Sequence, residues 1–243
     1  MIPGPKEVTP AWLTEQLVKK GLDCQVNGFT EERIGTGQIG MCIRYQLDAV
    51  GEDAPRSLVG KFASPDPLSS STGVQLLNYL KEVRFYQVLQ DKLTINTPRC
   101  FFAEINGEGP EFMLLLEDLT PAKQGDQLAG CDAEVATAAI KEVVGLHAPL
   151  WKDLSLDDMP FLGNRDQSAK GASDLYQKTF EGFADRFGSE LSQDQLRILK
   201  LFGESYEAFR AGMDDSVFSP IHICLLYTSP SPRDRTRSRM PSS

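Results

Sequence analysis

Gly35-Thr36-Gly37-Gln38-Ile39-Gly40 runs directly into Met41-Cys42-Ile43-Arg44-Tyr45-Gln46-Leu47, and the reading of this junction decides the fold. Met41, Ile43, Tyr45 and Leu47 alternate with Cys42, Arg44, Gln46 and Asp48, the period of a half-buried strand. A glycine-rich loop that opens a helix would instead suit a dinucleotide-binding unit, with an acid about twenty residues further on. Asp53 stands near that distance, but inside the polar turn Gly51-Glu52-Asp53-Ala54-Pro55. The loop is therefore expected to join strand to strand, where glycines let backbone lie close over a ligand without side-chain clash. A glycine-rich hairpin with no ligand is the bland alternative.

The rest of the pattern extends outward from this hairpin. Upstream, Thr9-Pro10 is an N-cap and first-turn proline for a short helix carrying Trp12, Leu13 and Leu17 and closed by Gly21. Downstream, residues 58–62 return as a strand. The loop Pro65-Asp66-Pro67-Leu68-Ser69-Ser70-Ser71 then leads into one helix through Leu76, Leu77, Leu80, Val83 and Leu89. Strands are expected at 99–105 and 111–116, joined by Asn106-Gly107-Glu108-Gly109. Beyond Asp118 the pattern is helical. Asp132 caps a helix whose apolar face runs Ala136, Ile140, Val143, His147, and Ser173 starts one with Tyr176, Phe180, Phe183 and Phe187. Ser192-Gln193-Asp194-Gln195 is a capping box ahead of Leu199, Phe202, Tyr206 and Phe209. The aromatic stripes of these last two helices read as core. The fold class is α+β, with a strand-rich part over 1–118 and a helical part over 119–222.

Composition narrows the setting. The 243 residues carry a formal charge of −9, which argues against a nucleic-acid or anionic-membrane partner. The five cysteines lie far apart without a Cys-x-x-Cys pair, a poor disulfide framework and a poor zinc site. No signal peptide and no apolar run near the ~20 residues of a membrane span is visible. A soluble cytoplasmic protein is expected. Residues 223–243 do not fit this pattern, because Ser, Pro and Arg dominate them without apolar periodicity, so they read as disordered. Leu225-Leu226-Tyr227-Thr228-Ser229-Pro230-Ser231-Pro232-Arg233-Asp234-Arg235 reads as a non-native extension, with the natural chain cut near 221–224. A solvated basic tail is the alternative.

Further residues carry chemistry. Lys61, in Ser57-Leu58-Val59-Gly60-Lys61-Phe62, sits on the strand after the loop, placed to put an ammonium on phosphates. Such a lysine needs a carboxylate to fix it. Glu82, in Lys81-Glu82-Val83-Arg84-Phe85-Tyr86 on the following helix, is the candidate. Phe112-Met113-Leu114-Leu115-Leu116-Glu117-Asp118-Leu119 is an apolar strand that abruptly meets two acids. His147 reads as a hydrogen-bonded packing histidine, and neither a Ser/His/Asp set nor a metal cluster is visible.

Together these residues resemble the aminoglycoside phosphotransferase and choline-kinase-like family, close to ecdysteroid-kinase-like proteins. The resemblance rests on residues 35–40, Val59-Gly60-Lys61, residues 82–86 and residues 114–119. Gly125-Asp126-Gln127-Leu128-Ala129-Gly130 and Leu146-His147-Ala148-Pro149-Leu150-Trp151 add to it. It covers roughly residues 8 to 222. It implies a protein-kinase-like two-lobed fold, with an antiparallel-sheet N-lobe and an incomplete helical C-lobe. It implies ATP and Mg²⁺ as cofactors and transfer of the γ-phosphoryl to the hydroxyl of a small-molecule acceptor. Gly35, Thr36, Gly37, Gln38 and Gly40 would cover the phosphates, Lys61 would hold them, and Glu82 would position Lys61. Glu117, Asp118 and Leu119 would frame adenine.

The family's His-Gly-Asp segment, with an Asn five residues beyond the Asp, is absent from these 243 residues, as is the later metal-binding Asp motif. Pro220-Ile221-His222 stands where that segment should begin, and Asp214 and Asp215 lack its context. The resemblance therefore assigns no catalytic residue and no metal ligand to this chain, and implies a nucleotide grip without turnover. Mg²⁺ ligands are expected in a segment that is missing here. A non-catalytic pseudokinase-like or scaffold protein is the second reading, and a dinucleotide-binding oxidoreductase the third.

Overall fold

The computed structural model describes residues 1–35, 37, 39–122, 129–162, 165–212 and 219–220, with backbone only at 165–169. The described chain is α+β and divides into two compact units, one over residues 1–150 with Pro220 and one over 151–219. No helix among the described residues is long and apolar enough to cross a membrane. Cys24, Cys42, Cys100 and Cys131 are free thiols. Expectations placed on Thr36, Gln38, residues 125–128, Asp214, Asp215, His222 and the 223–243 tail lie outside the described residues.

The first unit is built on a five-stranded antiparallel sheet in the order β1-β2-β3-β5-β4. Its strands are β1 (Gln25–Ile34), β2 (Gly40–Val50), β3 (Ser57–Ala63), β4 (Cys100–Ile105) and β5 (Phe112–Glu117). The two inner pairings run without interruption, whereas both outer pairings carry a register shift, at Val26/Gly28 in β1 and Cys100/Phe102 in β4. Helix α1 (Pro10–Lys19) covers one face, opened by Thr9, whose hydroxyl accepts from Trp12 N, and followed by Gly21 at φ +85°. Leu13 and Leu17 are completely buried there with Tyr45, Leu58, Met113 and Leu115. Each such leucine stabilises the fold by about 1.5–3 kcal/mol. Trp12 meets Phe102 edge-on at 5.1 Å. At the β1 irregularity the Val26 amide donates to Thr14 Oγ1 at 2.9 Å, so α1 supplies a partner close to where the ladder is disturbed.

The opposite face of the sheet carries a second cluster of Tyr79, Val83, Phe112, Leu114 and Leu116. Consecutive β5 residues thus go to opposite clusters, which explains why Phe112-Met113-Leu114-Leu115-Leu116 reads as unbroken apolar sequence: a strand covered on both faces needs no polar side.

Several local expectations are corrected. The single helix expected after residue 71 is two helices, α2 (Pro67–Gln75) and α3 (Asn78–Arg84), followed by a π-helical turn over Phe85–Leu89. The break lies at Leu76–Leu77, with Leu77 in the left-handed region at φ 56°, and Lys81 Nζ donates to the Leu76 carbonyl at 3.0 Å. Across the break Gly73 lies so close to Tyr79 that a Cβ there would sit 2.5 Å from the ring. Helix α4 (Ala133–His147) is capped by Asp132 as expected, but Ile140 is 66% exposed. Its inward side instead holds Leu146 and Gly145, whose missing side chain lets the helix press on the backbone of Thr94 and Ile95.

In the second unit, α5 (Arg165–Phe187) begins two turns before Ser173, which is buried inside it. The polar opening of that helix, with Lys170 and Gly171, hides its period. Ser192 and Gln195 form the expected capping box of α6 (Gln193–Glu204), and α7 (Tyr206–Ala211) follows after a break at Ser205. The aromatic stripes are not core: Tyr176 packs edge-on against Phe202 at 5.8 Å, but Phe183, Phe187, Phe202 and Phe209 all remain exposed.

Candidate functional site

The glycine-rich loop joins β1 to the antiparallel β2, strand to strand as expected. Gly35 sits at φ +75°, where a side chain would strain the backbone. Gly37 and Gly40 are small because of what they approach. A Cβ on Gly37 would stand 3.3 Å from the Gly40 carbonyl oxygen, and one on Gly40 would stand 3.2 Å from Cε of Lys61. The loop thus returns over the lysine stem.

Lys61 lies on β3, cross-strand from Cys42. Its ammonium meets Glu82 Oε1 of α3 at 2.5 Å, with the two side chains 29% and 31% exposed. Burial would push the lysine's pKa down, but the Glu82 charge and hydrogen bond hold it above the ordinary value. The ammonium therefore stays charged through neutral pH. Burial pushes the neighbouring Cys42 thiol up, so it is a neutral group there. Glu82 was expected on the following helix as the carboxylate that such a strand lysine needs, and the structure joins the two.

The strand exit at Glu117 to Leu119 is more occupied than its sequence suggests. The Glu117 amide donates to the Arg99 carbonyl at 2.9 Å, and Glu117 Oε2 accepts from the Arg99 amide at 3.0 Å. The Leu119 carbonyl accepts from the Ala122 amide at 2.8 Å. Asp118 is a structural buckle. Its side chain, 4% exposed, accepts from Arg44 Nε at 2.7 Å, Ser57 Oγ at 2.7 Å and Thr120 Oγ1 at 2.8 Å. Arg44 also reaches Glu32 at 3.2 Å. The carboxylate thereby fastens β2, β3 and the chain leaving β5 to one another.

Burial alone would raise the Asp118 pKa, but Arg44, Ser57 and Thr120 together hold it below the usual carboxylate value. Because the folded pKa lies below the unfolded one, this stabilisation is present above about pH 4 and is lost as pH falls through the folded value. Asp118→Asn is expected to cost about 1–3 kcal/mol at neutral pH in denaturant titrations. The gap from wild type should close as the pH is lowered below 4. A gap that ignores pH would remove the carboxylate from this role.

Sequence reasoning missed Tyr79. It is 2% exposed, donates its hydroxyl to the Ile39 carbonyl at 2.6 Å, and lies one helical turn before Glu82. The signal available in sequence was its position three residues before Glu82, on the same helix face.

A glycine-lined turn beside a charged, carboxylate-held ammonium is an arrangement that suits an anion. Among the described residues no group of three or more His, Cys, Asp or Glu could hold a metal ion. His147 is half-buried at the end of α4. No protein-family model, no curated protein and no solved structure matches this chain.

Proposed function

We propose that the first unit is the ATP-binding part of a small-molecule phosphotransferase of protein-kinase-like, two-lobed architecture, whose acceptor is a hydroxyl group. The observation that carries this reading is the Lys61–Glu82 pair at 2.5 Å, with Gly40 of the glycine loop lying against the lysine stem. In that role the backbone from Gly35 to Gly40, including Thr36, Gly37 and Gln38, covers the phosphates. Lys61 holds the α and β phosphates, and Glu82 keeps its ammonium aimed. The base packs near the strand exit, where Asp118 and Leu119 offer backbone groups. The internal bonds of Glu117 and Leu119 leave that segment fewer contacts to give. A reducing cytoplasmic setting suits the free thiols.

The dinucleotide reading loses support, because a strand and not a helix follows the loop, and because Asp53 accepts from the Asp23 amide in the β2–β3 turn. Without a His-Gly-Asp segment in the 243 residues, we expect nucleotide binding without phosphotransfer by this chain. That expectation is shared by the non-catalytic, pseudokinase-like reading.

Melting curves with ligand in excess test the binding. A nucleotide at a hundred times its Kd stabilises its partner by about 2.7 kcal/mol. MgATP should therefore raise the transition by several degrees, and NAD(P)H should not move it. No saturable response to millimolar MgATP, or a larger one to NAD(P)H, would end the reading.

A further inference from the structure

The residues around the glycine loop form a closed circuit. Tyr79 Oη donates to the Ile39 carbonyl at 2.6 Å, and the Ser64 amide donates both to that carbonyl at 3.1 Å and to Tyr79 Oη at 3.4 Å. One turn along α3, Glu82 holds the Lys61 ammonium. The lysine stem lies beneath Gly40, the residue next to Ile39. Loop, helix and ammonium are thus joined end to end.

Tyr79 is held more tightly than a core aromatic requires. Its ring stacks on Phe112 with centroids 4.7 Å apart and planes 26° apart. A methyl group on Gly73 would come within 2.5 Å of it, and one on Gly109 within 3.0 Å. Two glycines and a stacked ring therefore fix where the hydroxyl points, and it points at the end of the loop.

We propose that Tyr79 is a positioning residue that couples the end of the glycine loop, at Ile39 and Gly40, to the Lys61–Glu82 pair, so that the seating of helix α3 both pins that loop end and keeps the ammonium aimed. A shift of α3 would loosen the chain at Ile39 and Gly40 and release the aim of the ammonium together. The consequence for nucleotide affinity rests on the phosphate-grip reading; the mechanical coupling does not.

Tyr79→Phe tests this by deleting one oxygen and keeping the stacked ring. A hydrogen bond of ordinary net worth corresponds to about fivefold in an equilibrium. Amide hydrogen exchange of the unliganded protein should become about fivefold faster in peptides spanning residues 35–41, while peptides from β4 and β5 keep their rates. MgATP affinity should fall by about the same factor, with a melting temperature within a few degrees of wild type. Unchanged loop exchange would overturn the proposal. So would exchange that rises alike across the whole first unit, or a melting temperature lowered by more than about 10 °C, since either marks a purely structural residue. If wild type binds no MgATP while loop exchange in Y79F still rises, the coupling stands and the nucleotide reading falls.

Discussion

Lys61→Met is expected to reduce MgATP affinity by at least 100-fold, read by titration calorimetry. The ammonium sits on β3 against the glycine loop and is held charged by Glu82 at 2.5 Å. A hydrogen bond to a charged group contributes about 1.5–3 kcal/mol, and a lysine spanning two phosphates makes two of them. About 3 kcal/mol lost is more than two orders of magnitude in Kd. Methionine preserves the length and apolar character of the stem, so the packing under Gly40 survives. The Glu82 carboxylate loses its partner, but at 31% exposure water screens it. That part of the penalty is about 1 kcal/mol in stability. Affinity should therefore collapse while the protein still folds. Glu82→Gln, which keeps the ammonium but frees it to wander, should fall between the two. An affinity for Lys61→Met within tenfold of wild type would mean that the lysine does not touch phosphate.

Gly51→Ala is expected to be the most damaging small substitution in the sheet. Gly51 turns the chain from β2 toward β3 at φ +127°, and a Cβ there would stand 2.1 Å from the Asp23 carbonyl oxygen and 2.6 Å from Cα of Cys24. The backbone angle alone costs about 1–3 kcal/mol for a residue with a side chain. Backbone that cannot step aside adds about 1–3 kcal/mol more, as overpacking does. Against a typical total of about 5–15 kcal/mol, this removes much of the stability margin of the domain. Gly107 is the control, because it also has a positive φ, of +59°, but nothing lies within 4 Å of its missing Cβ. Gly107→Ala should therefore show the conformational cost alone. Equal denaturation midpoints for the two variants would rule out the clash with the Asp23 carbonyl.

The contrast between these two glycines shows what sequence can carry. Both belong to turns whose composition announces them, Gly51 before Glu52-Asp53-Ala54-Pro55 and Gly107 after Asn106. Only the fold brings Asp23 beneath one of them. The same division runs through the candidate site. Lys61 and Glu82 were legible as partners because a lysine on the strand after a glycine loop needs a carboxylate to fix it, and the next helix in the chain offers one. Asp118 was legible as an acid at a strand exit. Its actual use, as a buckle on Arg44, depends on two residues separated by 74 positions in sequence. Tyr79 was hidden among ordinary apolar helix positions, since its contact with Ile39 spans 40 residues. The break at Leu77 falls inside a run whose apolar spacing reads as one helix, with the close approach of Gly73 to Tyr79 seen only in the fold. Ile140 points outward because the docking of α4 is decided by Gly145, not by the largest side chains on the helix.

β1 and β4 are the strands with an open side, and they alone carry register shifts. A shift twists a strand away from the straight ladder that another chain would need in order to dock along it. β1 adds Glu31, Glu32 and Arg33, all exposed, so the edge is charged as well as bent. The uninterrupted pairings are confined to β2, β3 and β5, where a neighbour on each side already uses the ladder. The sheet thus keeps its regular hydrogen-bonding rows in its interior and offers fibril growth only irregular borders.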